Sequence, residues 1–247
     1  MTEHVRLELT DRILSIFLNR PDKKNALTQE MYTVLANAFN KATNDGSIRA
    51  VLITGGNDFS AGNDLNDFLK NPTEILTSPL GDFIQALASC TKPVVAAVDG
   101  FAVGIGTTML LHCDLVYCTD RTTFMLPFVN LGLVPEFGST LLLPSLAGNQ
   151  LAAELLMLGE PFNAAKALRA GLINDICEPE QLQQHAKIIA EKLAVKPAKA
   201  LQQTKMLLRQ DIEPLNERIT REANLFHERL FSDVAVTAMQ AIIEKRE

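Results

Sequence analysis

Hydrophobic and polar positions at the start of the chain follow two periods in turn. Residues 5–9 alternate between apolar and polar side chains, which predicts a β-strand, and the run 13–18 predicts a second strand after a short turn. Residues 31–39 then carry apolar side chains at helical spacing, and Thr28 lies before them where a hydroxyl can cap a helix. The pattern therefore predicts two strands followed by an amphipathic helix.

The same alternation continues through the middle of the chain. Segments 50–53, 93–98 and 114–117 are almost wholly apolar and each predicts a buried strand, with helical spacing between them. Strands that alternate with helices indicate parallel pairing with helices covering the sheet, which is an α/β fold. From about Asn149 onward the pattern is helical throughout, and Asn163 is placed to cap one helix. We therefore expect an α/β core followed by helices.

Composition narrows the class of protein. The chain has 247 residues, 47% of them hydrophobic, which is enough to bury a large core without disulfides or metal ions. Its net charge is −6 and no block of Lys or Arg stands out, so we expect no nucleic-acid partner and no membrane surface as partner. The four cysteines lack metal-ligand spacing and no apolar run reaches ~18 residues, which favours buried thiols and a cytoplasmic location.

Three short segments could carry chemistry, and the first is Asp58-Phe59-Ser60-Ala61-Gly62-Asn63-Asp64-Leu65. It lies between a predicted buried strand and a helix. Its small residues would let backbone N–H groups face a bound ligand. The alternative is an ordinary turn, since many loops have this composition.

The second segment is the glycine-rich turn 99–108, which joins a buried strand to a helix. Its glycines are spaced G-x-x-x-G-x-G, whereas a dinucleotide-binding turn requires G-x-G-x-x-G. We therefore exclude a dinucleotide site of that type. What the segment does predict is a helix N-terminus with an exposed amide near Ile105, suited to stabilising a negatively charged oxygen.

The third segment, 131–139, places Glu136 among apolar residues, after Pro135 and before Gly138. Burial disfavours the charged form of a carboxyl group, so the pKa of Glu136 should rise toward the range of a general base. The alternative is that Glu136 caps the helix that follows it.

Other catalytic groups show no supporting pattern. The chain has no G-x-S-x-G motif, which argues against an acyl-serine hydrolase. None of the histidines has a neighbour at metal-ligand spacing, so we expect each to be structural or solvated, and we predict no metal site. The histidines are His4, His112, His185 and His227.

In this order, the segments resemble the crotonase (enoyl-CoA hydratase/isomerase) superfamily over nearly the whole chain. The matching pieces are Leu18-Asn19-Arg20-Pro21 with Asn25-Ala26-Leu27, Ser60-Ala61-Gly62-Asn63-Asp64, Lys92 to Gly100, the glycine-rich turn, Cys113-Asp114-Leu115, and Asn163-Ala164 with Gly171-Leu172-Ile173. The resemblance implies a crotonase (ClpP-like) spiral of ββα turns over residues 1–195. It also implies a C-terminal helical region, 196–247, that assembles a homotrimer or a dimer of trimers.

The resemblance also implies a ligand, an acyl-CoA thioester, whose coenzyme A is part of the substrate, so that no separate cofactor is expected. Two backbone N–H groups of the family hold the thioester oxygen, and by motif match these belong to Ala61 and Ile105. Residues 60–65 and Phe128 would contact the substrate. Lys23, Lys24, Asn25 and Ala26 would meet the nucleotide end, although the lysine pair could equally be a solvated loop.

The departures from the family pattern point to one reaction. Typical hydratases carry two glutamates, and the matching positions here are Thr108 and Phe128. Glu136 instead matches the glutamate of Δ3,Δ2-enoyl-CoA isomerases of the peroxisomal type. The resemblance therefore implies an isomerase of fatty acid β-oxidation with Glu136 as its base. The alternatives are a hydratase, another crotonase-type reaction, or a non-catalytic acyl-CoA-binding protein.

A set of apolar residues near Phe128 could line a tunnel for the acyl chain. An ordinary core position is equally open for each of them. The set is Phe124, Met125, Phe128 and Leu131.

Overall fold

The first two strands form a tight hairpin in the computed structural model, which describes residues 3–70, 75–209 and the single positions 233 and 237. Asp11 and Arg12 both adopt left-handed backbone angles, with φ of 52° and 66°. Such a two-residue turn matches the twist of the strands it joins, and Thr10 pairs directly with Ile13. The two strands and the turn predicted at the start of the chain are thus confirmed.

The described residues form short strands and helices that alternate along the chain. The strands are β1 Val5–Thr10, β2 Ile13–Leu18, β3 Ala50–Thr54, β4 Val94–Val98, β5 Phe101–Val103, β6 Leu115–Thr119, β7 Thr123–Met125, β8 Phe162–Asn163 and β9 Asp175–Cys177. The α-helices are α1 Gln29–Asn44, α2 Leu65–Lys70, α3 Pro79–Ala88, α4 Ile105–Thr108, α5 Ser139–Ala147, α6 Asn149–Ala153, α7 Ala164–Arg169, α8 Leu182–Ala194 and α9 Ala198–Leu208.

The larger sheet has the strand order β1-β2-β3-β4-β6-β9. Only β1 and β2 are antiparallel, and every later pair is parallel. Along β3, Val51 and Ile53 enter one hydrophobic core, while Ala50 and Leu52 enter another on the opposite face. Because both faces are covered, the strand is apolar at every position except its last, Thr54.

Helices cover the two faces. The core of Val51 also contains residues of α1 and α3, which pack against each other, and the core of Leu52 contains residues of α8. Helix α1 begins as predicted at the cap Thr28, whose hydroxyl accepts a hydrogen bond from the Met31 N–H at 3.3 Å. With both faces covered by helices, the loops that follow the carboxyl ends of the parallel strands stay open to a ligand. Ligands bind at these loops in folds of this kind.

A second sheet, with the order β5-β7-β8, was not predicted from the sequence. The expectation of helices alone after Asn149 is also wrong, because β8 and β9 lie in that region. These strands are two and three residues long, so they contain too few positions to show an alternating pattern. Asn163 does cap α7, as predicted, by accepting a hydrogen bond from the Lys166 N–H.

The chain divides into two compact units, Met1–Ala194 and Val195–Glu247, and each is described by itself. Every candidate site residue named above belongs to the first unit. Helix α9 lies in the second. The helices predicted beyond residue 209 fall outside the described residues, and the role of 196–247 in oligomer assembly stays a prediction.

Candidate active site

Three loops of the first unit are joined by backbone hydrogen bonds. The Ser60 N–H donates to Phe101 O, and Val103 N–H donates to Ser60 O, which ties the loop after β3 to strand β5. On its other side the same loop is tied to the segment before α1, because Leu27 N–H donates to Gly62 O at 2.7 Å. The predicted small-residue loop therefore lies between two partners that hold its backbone in place.

Close approach of these loops requires glycine at two positions. A Cβ atom on Gly106 would lie 2.7 Å from the Ser60 carbonyl oxygen. A Cβ atom on Gly62, whose φ is +89°, would lie 2.7 Å from the Val103 carbonyl oxygen. Real Cβ atoms do not come this near to backbone oxygen, so the sequence needs glycine at both positions for a steric reason.

These loops enclose an apolar cavity of about 330 Å³. Several predicted site residues line it, and Asn63 contributes the one polar side chain among the described residues of its wall. The predicted residues that line it are Ala61, Gly62, Asn63, Leu65, Ile105, Phe128, Met125 and Leu131. Phe124 does not line it: its ring is fully buried and stacked on Phe162, so the core alternative is correct for that residue.

Ala61 and Ile105, the two residues predicted to supply oxyanion amides, both line this cavity, but their N–H groups differ in hydrogen bonding. Ile105 is the first residue of α4, so its N–H group has no acceptor within the helix. The Ala61 N–H donates to the Lys24 carbonyl oxygen at 2.8 Å. A thioester oxygen that bound to both amides would therefore replace or share this acceptor.

The loop with Lys24 is shaped by Asn25. Both residues have left-handed backbone angles, and the buried Asn25 side chain donates to the carbonyl oxygens of Gly55 and Asp58 at 2.7 and 2.6 Å. The same side chain accepts a hydrogen bond from the Arg20 N–H. Asn25, predicted as a nucleotide contact, thus uses its side chain to hold two loops together.

The other polar residues predicted as substrate contacts also bind protein groups. Arg20 bonds Asp64 at 2.7 Å, and this hydrogen bond holds the pKa of the Asp64 carboxyl group below its usual value. The buried Ser60 hydroxyl donates to the Asn25 carbonyl oxygen and accepts from the Gly62 N–H. Arg20 is part of a motif that matches the family pattern, and its bond to Asp64, 44 positions away, has no signal in the sequence.

The predicted lysine pair lies on the outer side of this loop. Lys23 ends a turn at Pro21–Lys23 and is exposed. The Lys24 ammonium group lies 3.9 Å from the centre of the Phe101 ring, close enough for a cation–π contact. Ala26 is partly buried and its carbonyl oxygen accepts a hydrogen bond from the Arg20 side chain. Contact of these residues with a nucleotide stays a prediction.

Glu136 is attached to the cavity wall through helix α4 and is not itself among the lining residues. The Thr108 hydroxyl donates to Oε1 of Glu136 at 2.5 Å. The second oxygen, Oε2, is buried without a hydrogen-bond partner among the described residues. Burial raises the pKa of Glu136 to about 7, and the Thr108 hydrogen bond opposes this shift. The helix-cap alternative is not observed, since α5 begins at Ser139 and its N-cap residue is Gly138, with no side-chain cap.

Tyr32, on helix α1, forms a hydrogen bond to a residue of the cavity wall. Its hydroxyl donates to Oδ1 of Asn63, which lines the cavity, at 2.5 Å. Burial raises the pKa of Tyr32 well above its usual value, and the nearby negative charges of Glu136 and Asp67 raise it further. Sequence reasoning placed no functional weight on Tyr32, which lies on the apolar face of α1.

The backbone after Glu136 is strained. Phe137 has φ of +59°, in the left-handed region that a bulky side chain rarely adopts. Its ring stacks on His112 with 4.1 Å between ring centres, and its carbonyl oxygen lies 2.8 Å from His112 Nε2. His112, expected to be structural, thus anchors the residue beside Glu136. Sequence shows neither the backbone angle nor this contact.

The described residues provide neither a metal-binding cluster nor a helix that could span a membrane. Within 3–70 and 75–209, no cluster of three His, Cys, Asp or Glu side chains could hold a metal ion. All four cysteines are free thiols. In that part of the chain, each helix is too short or too polar to cross a lipid bilayer.

Comparisons with known proteins agree with this geometry. The family model for enoyl-CoA hydratase/isomerase matches residues 8–247. A solved structure from Magnetospirillum magneticum AMB-1, named for an enoyl-CoA hydratase/carnithine racemase, shares 48% identity with a TM-score of 0.96, covering 100% of this chain and 98% of that one. The predicted crotonase-type α/β fold is therefore confirmed.

Curated relatives differ in the reaction for which they are named. Human enoyl-CoA delta isomerase 2 is 32% identical over 244 residues, which is 96% of this chain and 62% of that protein. The 2,3-dehydroadipyl-CoA hydratase of Escherichia coli strain K12 is 34% identical over 243 residues, which is 95% of this chain and 93% of that protein. Both kinds of enzyme are similar to this chain over nearly its whole length, so the similarity does not distinguish isomerase from hydratase.

Proposed function

This chain belongs to the enoyl-CoA hydratase/isomerase family, and from that premise we propose that it moves the double bond of a 3-enoyl-CoA to give a 2-enoyl-CoA. The observation that carries the proposal is the Glu136 carboxylate, buried and with a pKa raised to about 7. Thr108 and Phe128 occupy the positions where a hydratase would carry its two glutamates. The site therefore offers one carboxylate as a base, whereas hydration uses two.

A single carboxylate can perform this reaction. Glu136 would remove a proton from C2, the electrons would move onto the thioester oxygen as an enolate, and the same carboxyl group would return the proton to C4. A pKa near neutral suits both steps, because the group gives up its proton nearly as readily as it takes one. The two carbons lie close together on one chain, so one carboxylate oxygen can serve both.

The enolate would be stabilised by the amides of Ala61 and Ile105. Removal of one such donor from the oxyanion site of an enzyme costs about 3–4 kcal/mol of transition-state stabilisation. In this structure the Ala61 N–H donates to Lys24 O, so substrate binding would exchange a carbonyl acceptor for the thioester oxygen. The apolar cavity favours proton transfer over addition of water.

Glu136→Gln tests the proposal, because it removes the base and keeps the shape. We expect turnover of 3-enoyl-CoA to fall by about 10²–10⁴-fold, the usual contribution of general acid–base catalysis. Binding of a saturated acyl-CoA, measured by calorimetry, should stay near the wild-type value. The matched control is Glu154→Gln, which removes an exposed carboxylate that pairs with Lys166. Unchanged turnover in the Glu136 variant would exclude Glu136 as the base.

The same preparation separates the alternatives. Wild-type protein that converts 2-enoyl-CoA rapidly into 3-hydroxyacyl-CoA would be a hydratase, contrary to the proposal. Wild-type protein that binds acyl-CoA and turns over neither substrate would be a binding protein. A fatty acid β-oxidation role, a cytoplasmic location and a trimeric assembly are further parts of the proposal and follow the family expectation.

A further inference from the structure

We propose that Thr108 is a positioning residue that holds the Glu136 carboxylate by Oε1, so that Oε2 alone exchanges protons with the substrate. The inference rests on the proposed function, because it assigns the two oxygens of the proposed base to different tasks. It gives a role to Thr108, a position at which typical hydratases carry a glutamate.

The contact between the two side chains is short and secluded. Thr108 is fully buried in α4, and 2.5 Å separates its Oγ1 from Oε1 of Glu136. Oε2 is buried too, yet it has no hydrogen-bond partner among the described residues. A buried carboxylate oxygen that is left unpaired is costly, which is tolerated where a bound group will supply the missing partner.

In the proposal, the direction of this hydrogen bond assigns the proton to Oε2. A threonine hydroxyl has one hydrogen, and here it points to Oε1. When Glu136 is ionised, Oε1 accepts this hydrogen bond as part of a carboxylate. When Glu136 is protonated on Oε2, Oε1 still accepts it as a carbonyl oxygen. The Thr108 bond therefore survives both halves of the reaction, and the proton taken from C2 resides on Oε2 until it is returned.

The bond also limits rotation of the carboxyl group. Without it, the group could turn about its terminal torsion, which has broad minima, and present either oxygen. With Oε1 anchored on α4, the helix whose first residue is Ile105, the reacting oxygen keeps one position relative to the Ile105 amide. The group that positions the base and the amide that stabilises the oxyanion thereby belong to the same helix, α4.

The plain alternative is that Thr108 only fills space behind Glu136. Thr108→Val keeps the size of the side chain and removes the hydroxyl, whereas Thr108→Ser keeps the hydroxyl and removes a methyl group. Positioning predicts that valine is the harmful change and that serine preserves function. Space filling predicts the opposite order. The matched control is Thr33→Val, an exposed position on α1 whose hydroxyl bonds only the Gln29 carbonyl oxygen.

The experiment measures kcat, KM and the pH profile of 3-enoyl-CoA isomerisation for these variants. For Thr108→Val we expect kcat to fall about tenfold with KM within about twofold, because a hydrogen bond to a charged group is lost while the cavity is kept. The apparent pKa of kcat/KM should move up by about one pH unit, and Thr108→Ser and Thr33→Val should behave like wild type. If valine leaves both kcat and the profile unchanged, the positioning role is overturned.

A second readout does not depend on turnover. The carboxyl carbon-13 resonance of Glu136, assigned by its loss in Glu136→Gln, is titrated in each variant. An upward shift of about one pH unit in Thr108→Val, with none in Thr108→Ser, supports the proposal, and an unchanged titration overturns it. If Thr108→Val does not fold, Thr108→Ala replaces it in the same comparison. Should Glu136→Gln retain full activity, the proposed function fails, while this titration still decides whether Thr108 controls Glu136.

Discussion

At the scale of single residues, the pKa of Glu136 is close to neutral, so small changes of pH near 7 change its charge. Burial favours the neutral acid, and the Thr108 hydrogen bond favours the carboxylate, with a resulting pKa of about 7. The base must be ionised to take a proton from C2. We therefore expect kcat/KM to rise about tenfold per pH unit below pH 7 and to level off above it.

The measurement is a rate profile for 3-enoyl-CoA between pH 5 and pH 9, with enzyme stability checked at each pH. A glutamate in its ordinary state would be ionised throughout this range and would give a flat profile. A flat profile would therefore show that the reacting base is not Glu136 as described.

The same pKa predicts how stability depends on pH. The group has its ordinary pKa of 4.5 when unfolded and about 7 when folded, so between these values the folded state binds the extra proton. Wild-type stability should accordingly fall as pH rises from 4.5 to 7, by up to about 3 kcal/mol. Glu136→Gln cannot ionise and should escape this loss.

Urea unfolding of both proteins at pH 5 and pH 8 checks the prediction. The difference in free energy of unfolding, variant minus wild type, should be larger at pH 8 by up to about 3 kcal/mol. Glu154→Gln, an exposed position, serves as the control. A difference that does not change with pH would mean that Glu136 has no raised pKa in the folded protein.

The sequence indicated which residues lie together around the cavity better than it indicated what their side chains contact. Ala61, Gly62 and Ile105 lie together in one cavity wall because short motifs encode their turns locally. The bond from Thr108 to Glu136 joins residues 28 positions apart, and such a contact depends on how α4 packs. Asn25 shows the same limit, since a ligand contact and a loop-bracing amide look alike in a sequence.

At the scale of elements, the site depends on how closely α4 approaches the loop after β3. Gly106 of α4 leaves no room for a side chain, because a Cβ atom would lie 2.7 Å from Ser60 O. Gly106→Ala should therefore push the Ile105 and Ala61 amides apart. We expect a loss of about 1–3 kcal/mol of stability, typical of overpacking, together with weaker acyl-CoA binding.

Gly46 provides the matched control for this prediction. A Cβ atom there meets nothing within 4 Å, and Gly46 does not have a positive φ. Gly46→Ala should leave acyl-CoA affinity unchanged and stability equal or slightly higher. Urea unfolding and calorimetric titration of both variants make the comparison, and equal effects at the two positions would contradict the packing argument.

Elements were predictable where they carried enough residues for a pattern. Strands β2, β3 and β4 are five or six residues long and were predicted to within about one residue, because burial makes each an almost wholly apolar run. Strand β5 has three residues and β8 has two, and both owe their conformation to partners far along the chain. The second sheet therefore could not be predicted from the sequence pattern and is seen only in the structure.

At the scale of the whole molecule, the two hydrophobic cores differ in their relation to the candidate site. Helix α8 and one face of the large sheet enclose the smaller core, whereas the other face packs on α1 and α3, and its core also includes Ile105 and Phe137. Residues of the candidate site are thus continuous with the larger core. Ligand binding in the cavity should consequently stabilise the folded protein as a whole.

A saturated acyl-CoA should raise the thermal unfolding temperature of both wild type and Glu136→Gln, because binding needs the cavity and the amides but not the base. At 100 times its dissociation constant, a ligand specific for the folded state adds about 2.7 kcal/mol, or about 5–10 °C for a chain of this length. The same fatty acid without coenzyme A is the control and should give a smaller shift. If acyl-CoA shifts neither protein, the chain does not bind this class of thioester, and both the isomerase and the binding-protein alternatives fail together.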